Sequence, residues 1–519
     1  MRTSPLMNTG DTVKSGGSDD GKQNLYRGLT ADECGSELSS GMTTKLQASV
    51  GIVGGGLAGL AAGCALADAG LRVTVFERRP YVGGRASSYE HPGTGEVVDN
   101  CQHVLLGCCT NLIDFYRRLG VSDKIRWFNE LMFIEPGGRA SRMAPSFLPA
   151  PMHNIPAFLG AKMLSASDKL AIAKAMAKIS RGLPEDSPPI HAKIGREWGP
   201  SEDFLTWLKR NKQTERAIER FWKTVLVSAL NEDLDRISVH YAAQVFRESF
   251  MKSAEAGKMG LPSIPLSDLY GFATKYIRTR GGQVLLRSSV TAIGPKQGSV
   301  GVLAGTGEQQ FDYVVLAAPF QTAANLLPSD SVAEPIKQQL AHFESSPITG
   351  IHLWFDREIT PLPHAVLLDR TIQWMFHKSK FHDKRENDHQ GSYVELVVSA
   401  SKSLVQKSRE EVLELATREL AEFFPAVKEA KVVKAAVIKE IYATYAIVPG
   451  LDRFRPAAKT AWPRIFLAGD WTATGWPATM EGAVRSGYMA AEAITAEIGQ
   501  GQKYVVADLP ARGIMKFFI

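Results

Sequence analysis

The stretch SVGIVGGGLAGLAAGCALADAG, residues 49–70, decides the fold. A short apolar run at 50–53 enters Gly54-x-Gly56-x-x-Gly59, and small helix formers then continue to Gly70. The pattern reads as strand, tight glycine turn and helix. A second strand, RVTVFE at 72–77, ends on Glu77, which lies 18 residues beyond Gly59. Glycines at this spacing let the backbone approach a pyrophosphate at the helix N-terminus, so Leu57 and Ala58 join Gly54, Gly56 and Gly59 as site residues. The acid ending the second strand binds ribose hydroxyls, and Arg78 follows it directly. The sequence therefore predicts an α/β, Rossmann-like domain that binds a dinucleotide.

The residues after Glu77 narrow the choice of dinucleotide. RRPYVGGRASS places Gly83, Gly84 and Arg85 six to eight residues beyond the acid. An arginine there neutralises a pyrophosphate through paired N–H groups. These two loops together resemble the FAD-binding signature of the flavin amine oxidase and phytoene desaturase superfamily. No second glycine motif follows a strand, since GTGEQQ at 305–310 has another spacing. An external electron donor, unassigned by sequence, must then enter the same pocket, unless the flavin itself comes and goes.

A matching loop lies near the end of the chain, LAGDWTATGWPATMEGAVRSG at 467–487. It delivers Gly469 and Asp470 to the carboxyl end of a strand, where ligands bind in open α/β sheets. By the resemblance, Asp470 accepts hydrogen bonds from the ribityl chain and the backbone near Val290 passes the adenine. Pro477 suits an early helical position. Free N–H groups over Met480 to Ala483 would face the flavin and favour its reduced anion by about 0.3–2 kcal/mol. Trp476 either shapes the flavin face or is an ordinary core tryptophan. One FAD spans both loops, held non-covalently, because no cysteine follows Cys109 and none is expected beside the back loop.

Composition sets wider limits. A net charge of +6 without a dense basic stripe excludes a nucleic-acid binder. The five cysteines, Cys34, Cys64, Cys101, Cys108 and Cys109, form no CxxC, so neither a disulfide framework nor a metal site is indicated. Residues 1–45 are Gly-, Ser-, Thr- and Asp-rich and read as a disordered tail. No apolar run is long enough to span a bilayer. The FAD-binding domain is expected over 46–110, 271–340 and 441–500. An inserted α+β substrate domain takes 111–270 and 341–440, and 501–519 form a C-terminal tail.

A closer resemblance covers about 46–500. DNCQHVLLGCCTNLIDFYRRLG (99–120), GLPSIPLSDLY (260–270), SYVELVVSASKSLV (392–405), PGLDRFRP (449–456) and the back loop look like the squalene-associated FAD-dependent desaturases. Cys101 and Cys109 depart from the expected glycine and tyrosine. The resemblance implies hydroxysqualene dehydroxylation, feeding squalene and hopanoid synthesis. It needs an apolar pocket and a proton donor, for which His103 is the candidate, with Asn100 and Gln102 as polar contacts and Trp476 and Pro477 near the substrate. The partners implied are a long-chain isoprenoid and a membrane surface. The apolar, proline-punctuated lobe with its basic helix at 146–181 either docks on that surface or packs as an ordinary core helix, and GIMKFFI at 513–519 either adds to the patch or folds back. Location is expected at the inner face of the cytoplasmic membrane. The rivals are a carotenoid desaturase, an amine oxidase and, outside catalysis, a prenyl-lipid escort of the same fold.

Overall fold

The structure is a computed structural model that describes residues 47–182, 202–305, 307–383 and 391–517. The expected tail at 1–45 and Cys34 lie outside the described residues. From Gln47 onward the chain forms one compact unit.

Strand β1 (Ser49–Val53), helix α1 (Leu57–Asp68) and β2 (Arg72–Phe76) follow the sequence pattern closely. They join β3 (Gln283–Leu285), β4 (Tyr313–Leu316) and β5 (Ile465–Leu467) in one parallel sheet of order β3-β2-β1-β4-β5. Its central strands are buried throughout, as a sheet covered on both faces requires. Helix α2 (Met480–Glu497) lies against α1. A Cβ on Gly487 would fall on the Ala58 carbonyl, so only glycine permits this approach. Helix α1 is buried on every side, which explains its almost unbroken run of small and apolar residues.

The strands Val290–Lys296, Ser299–Ala304 and Gly307–Phe311 form an antiparallel meander, so Gly307–Gln310 lie in a strand and not in a turn leading into a helix. Beside a two-stranded and a three-stranded sheet there is a larger one of seven strands. Its order is Val432–Tyr445, Ser345–Phe355, Ser392–Ser399, Trp374–His377, His364–Leu367, Leu131–Ile134 and Ala140–Met143.

The basic helix runs over Ala166–Ser180 behind a capping box of Ser165 and Asp168. Ile172, Ala175 and Ile179 enter the core, while Leu170 stays out. The chain end folds back onto the core through Met515, with Phe517 left exposed. Ile514 N–H donates to Ala150 O at 3.0 Å. No helix among the described residues is long and apolar enough to cross a membrane.

Candidate functional site

The front loop is held by backbone and by one carboxylate. Gly54 takes a φ of +117°, and a Cβ there would meet Ala317 O at 2.6 Å. A Cβ on Gly59 would overlap the Gly54 carbonyl, so both glycines are required for the turn. Glu77 is buried and braces two segments. Its Oε2 accepts from Gly55 N at 2.8 Å and its Oε1 from Arg79 N at 2.7 Å. Each oxygen keeps a second lone pair for a ribose hydroxyl. Gly83 N donates to Gly55 O at 2.8 Å, which seats the Gly83-Gly84 turn on the first loop. Arg78 points to solvent, whereas Arg79 Nη1 donates to Gly84 O at 2.8 Å. The sequence reading missed Arg79, which differs from Arg78 by nothing the motif specifies. Ser288 N donates to Glu77 O at 2.8 Å and so brings Val290 to the same end of the sheet.

The back loop meets the front loop directly. Arg85 Nη2 lies 2.7 Å from Asp470 Oδ1, and Arg85 Nη1 donates to Ala443 O at 3.0 Å. Burial works against the Arg85 charge, and Asp470, Glu440 and Tyr445 together more than offset it. Asn100 Nδ2 donates to Arg85 O at 3.1 Å and to Glu440 Oε2 at 3.1 Å. Asn100 therefore positions the arginine. Gly469 N donates to Ser486 Oγ at 2.8 Å. Arg455, from the PGLDRFRP stretch, threads behind the loop. Its Nη2 donates to Asp470 O, Thr472 O and Thr474 Oγ1 at 2.9, 2.6 and 2.9 Å. Three acceptors on one buried guanidinium fix the loop's path.

Three expectations for this region are corrected. Helix α2 begins at Met480 with Thr479 as its cap, so Pro477 precedes the helix and is not within it. Thr479 Oγ1 accepts from Gly482 N at 3.1 Å, and Thr479 O accepts from Ala483 N at 3.0 Å. Ala483 N–H is therefore engaged within the helix, which leaves Met480 and Glu481 as the unbonded first-turn positions. A cysteine does lie beside the back loop: Cys108 and Trp476 share a small apolar cluster with Ala256, and Cys109 packs against it. Distance along the chain was a poor guide to distance in space. Arg485 stacks over the Trp476 ring at 5.2 Å, so this tryptophan is anchored on α2. The thiols at Cys64, Cys101, Cys108 and Cys109 are free, and burial pushes those of Cys64 and Cys101 well up.

Beyond Asn100 the chain reaches His103. Its Nδ1 lies 2.8 Å from Cys101 O. A carbonyl only accepts, so Nδ1 carries the hydrogen and Nε2 is the bare nitrogen of the neutral ring. Burial lowers the His103 pKa, against the pull of that carbonyl bond. Gln102 Nε2 donates to His103 O at 3.0 Å, and its buried Oε1 has no partner. Behind this segment stands a cluster the sequence did not reveal. Lys378 Nζ lies 2.6 Å from Asp99 Oδ2 and 3.0 Å from Glu395 Oε2, and all three side chains are buried. Val104, Leu106, Ile348 and Trp374 are apolar and partly exposed around a small buried cluster of Met259, Leu261, Phe376, Phe381 and Val397. His103 precedes Val104 of that apolar group in the chain, and its ring feels the charges of Asp99, Glu395 and Lys378.

The residues present fit FAD. A Cβ on Gly56 would meet nothing nearer than Gly84 Cα at 3.8 Å, so a cradle opens over the helix N-terminus. Arg85 offers a deep cation beside it, and Asp470 offers an acceptor for hydroxyls. No group of His, Cys, Asp and Glu able to hold a metal occurs among the described residues. Parallel sheet, glycine cradle and paired loops define an FAD-dependent oxidoreductase. The chain belongs to the flavin containing amine oxidoreductase family, whose pattern matches residues 57–495. It is 29% identical to the 15-cis-phytoene desaturase of Synechococcus elongatus, over 88% of this chain and 97% of that protein. It is 27% identical to the zeta-carotene desaturase of Synechocystis, over 88% and 99% respectively. Among solved structures, putrescine oxidase bound to putrescine superposes with a TM-score of 0.63 at 19% identity, covering 87% of this chain and 99% of that one. A putative protoporphyrinogen oxidase from Exiguobacterium gives a TM-score of 0.61 at 17% identity, covering 88% and 100%.

Proposed function

We propose that the protein is an FAD-dependent hydroxysqualene dehydroxylase working at a membrane surface. The observation that carries this reading is His103, which adjoins Val104 of an apolar cluster in the chain and feels the charges of the buried Asp99–Lys378–Glu395 cluster. An isoprenoid alcohol needs both neighbours: a dry wall for its chain and a proton for its hydroxyl. FAD would be held by Gly54, Gly56, Leu57, Ala58, Gly59, Glu77, Gly84, Arg85, Val290, Gly469, Asp470 and Met480, and in its reduced form it supplies a hydride equivalent. The His103 ring is oriented by its bond to Cys101 O, with Nε2 as the nitrogen that carries a proton to the departing hydroxyl. The apolar side chains keep water from the allylic carbon after the C–O bond breaks. Arg85, steadied by Asn100 and Asp470, balances negative charge at the cofactor.

A second reading is favoured by the curated relatives, which are carotene-pathway desaturases. It uses the same hydride step in the oxidative direction. One anaerobic experiment separates the two. Purified enzyme is photoreduced and mixed with hydroxysqualene in micelles. Return of the oxidised-flavin band with one squalene formed per flavin supports the dehydroxylase. If the band does not return, and phytoene instead bleaches the oxidised enzyme, the protein is a desaturase.

The substrate class explains the surface. A long polyene crossing water would cost about 0.8 kcal/mol for each exposed CH₂ group. Phe147, Leu159 and Leu170 are 97%, 63% and 58% exposed, and Phe517 at the chain end is 85% exposed. Lys162, Lys174 and Lys516 are exposed on the same segments. Exposed apolar side chains interspersed with lysines suit an anionic bilayer. Flotation with anionic vesicles should fall severalfold in Phe147→Glu, and unchanged flotation removes this lobe from the interface.

A further inference from the structure

Neither cofactor loop uses the Asp99–Lys378–Glu395 cluster, and its charges do not balance. One ammonium faces two carboxylates in a site with almost no solvent. Asp99 is fully served: it accepts from Lys378 at 2.6 Å, Ser88 Oγ at 2.6 Å and Leu266 N at 3.3 Å. Glu395 has only the ion pair with Lys378, and neither of its oxygens has a hydrogen-bond partner. A second ionised carboxylate with a bare oxygen in dry surroundings is strongly disfavoured, whereas a protonated one is neutral. Burial raises the Glu395 pKa in spite of Lys378, and Lys378 holds Asp99 well below the usual carboxylate range against its own burial.

The position of Glu395 gives the proton a destination. A Cβ on Gly350 would lie 3.6 Å from Glu395 Oε1, 3.6 Å from Asn100 O and 3.7 Å from Cys101 Cα. Glu395 Oε1 and the Asn100–Cys101 backbone thus border the same gap beside Gly350, and the His103 charge acts on Glu395. His103, whose Nδ1 is committed to Cys101 O, is neutral until Nε2 receives a proton. A neutral imidazole in that tautomer cannot by itself release a proton to a leaving hydroxyl.

We propose that Glu395 is the proton-holding residue behind His103, supplying from its carboxylic acid the proton that charges the imidazole. This deepens the dehydroxylase reading and rests on it for the direction of transfer. The C–O bond breaks, the hydride equivalent forms the new C–H bond, and the proton passes through His103 to the oxygen, which leaves as water. Carbon is reduced by two electrons from the reduced flavin. Glu395 is left as a carboxylate paired with Lys378 and regains one proton from solvent. The titratable or charged groups facing it are Lys378, Asp99, His103, Cys101 and Tyr393. His352 hydrogen-bonds to Tyr393, and Glu440 lies across Asn100.

Infrared difference spectra of the FAD-loaded enzyme, without substrate, test the proton. Wild type minus Glu395→Gln at neutral pH should show one carboxylic-acid C=O band that shifts in D₂O. If Gln does not retain FAD, Glu395→Met, which keeps the length, assigns the band. Absence of the band means Glu395 is ionised and overturns the proposal. With hydroxysqualene, Glu395→Gln should slow anaerobic flavin reoxidation about tenfold or more and change its pH profile, with FAD retained. An unchanged rate and profile make Glu395 structural only and also overturn it. If wild type fails to react with hydroxysqualene, the dehydroxylase reading falls, while the infrared band still decides whether Glu395 holds a proton.

Discussion

The cofactor loops and the chamber behind His103 are built by opposite rules. Around Glu77, Gly83 and Asp470 polar atoms meet partners, most of them backbone, at 2.7–2.9 Å. Around Glu395 the partners run out: its own two oxygens, Gln102 Oε1 and His352 Nε2 are buried without a hydrogen-bond partner, as are both nitrogens of His364 two strands away in the same sheet. Satisfied groups make a rigid cradle whose work is to hold a ligand. Unsatisfied groups in a dry core store free energy that depends on protonation. In the proposed reading, binding and proton chemistry are separated within one chain, with Asn100 to His103 as the seam between them.

Cutting Lys378 tests that contrast with the largest effect. Lys378→Met leaves Asp99 as an unpaired buried charge and should cost about 3–5 kcal/mol in denaturant unfolding of the holoenzyme. The matching cut in the cradle, Arg79→Met, removes one hydrogen bond from a half-buried side chain and should cost about 1 kcal/mol. Equal losses would mean that the two regions are held alike.

Acid should weaken the chamber first. Burial lowers the pKa of His364 and of His377 from 6.5 to about 4. Below pH 6.5 the unfolded chain binds protons that these folded rings refuse. Their contribution is therefore fully present above about pH 6.5, declines as pH falls, and levels off below about pH 4. Each ring accounts for up to about 3 kcal/mol. Melting temperature followed from pH 7 to 4 should show this slope, and His364→Leu should flatten it while leaving FAD in place. A slope unchanged in the variant would place the acid-sensitive groups elsewhere.

Legibility in the sequence follows the same division. The strands at 49–53 and 72–76, the helix between them and the roles of Gly54, Gly59 and Glu77 follow from contacts between near neighbours, which fixed spacings encode. Asp99 and Lys378 touch across 279 residues, and no spacing records such a meeting. The same limit hid Cys108 behind Trp476 and Arg455 behind Asp470, although each sits in a stretch whose resemblance was plain. Pro477 misled for another reason. Proline fits both the first turn of a helix and the turn before it, and Thr479, a better cap, moved the start to Met480.

A last prediction asks whether the two loops are one unit. Gly487 lies on α2, outside any glycine motif, yet an added Cβ would strike the Ala58 carbonyl and lie 2.9 Å from Ala62 N. Both atoms are helix backbone and cannot swing aside. Propensity alone favours Gly487→Ala by up to about 1 kcal/mol in a helix interior. Overpacking against fixed backbone costs about 1–3 kcal/mol. The clash should win, for a net loss of about 1–2 kcal/mol. Its consequence reaches further than stability, because Ala58 belongs to the front cradle and neighbouring Ser486 holds Gly469 of the back loop. Moving α2 off α1 displaces both grips on the cofactor at once, so FAD affinity should fall together with stability. A variant that gains stability and keeps its flavin would show the loops to be independent, and the rigid half of the comparison would lose its basis.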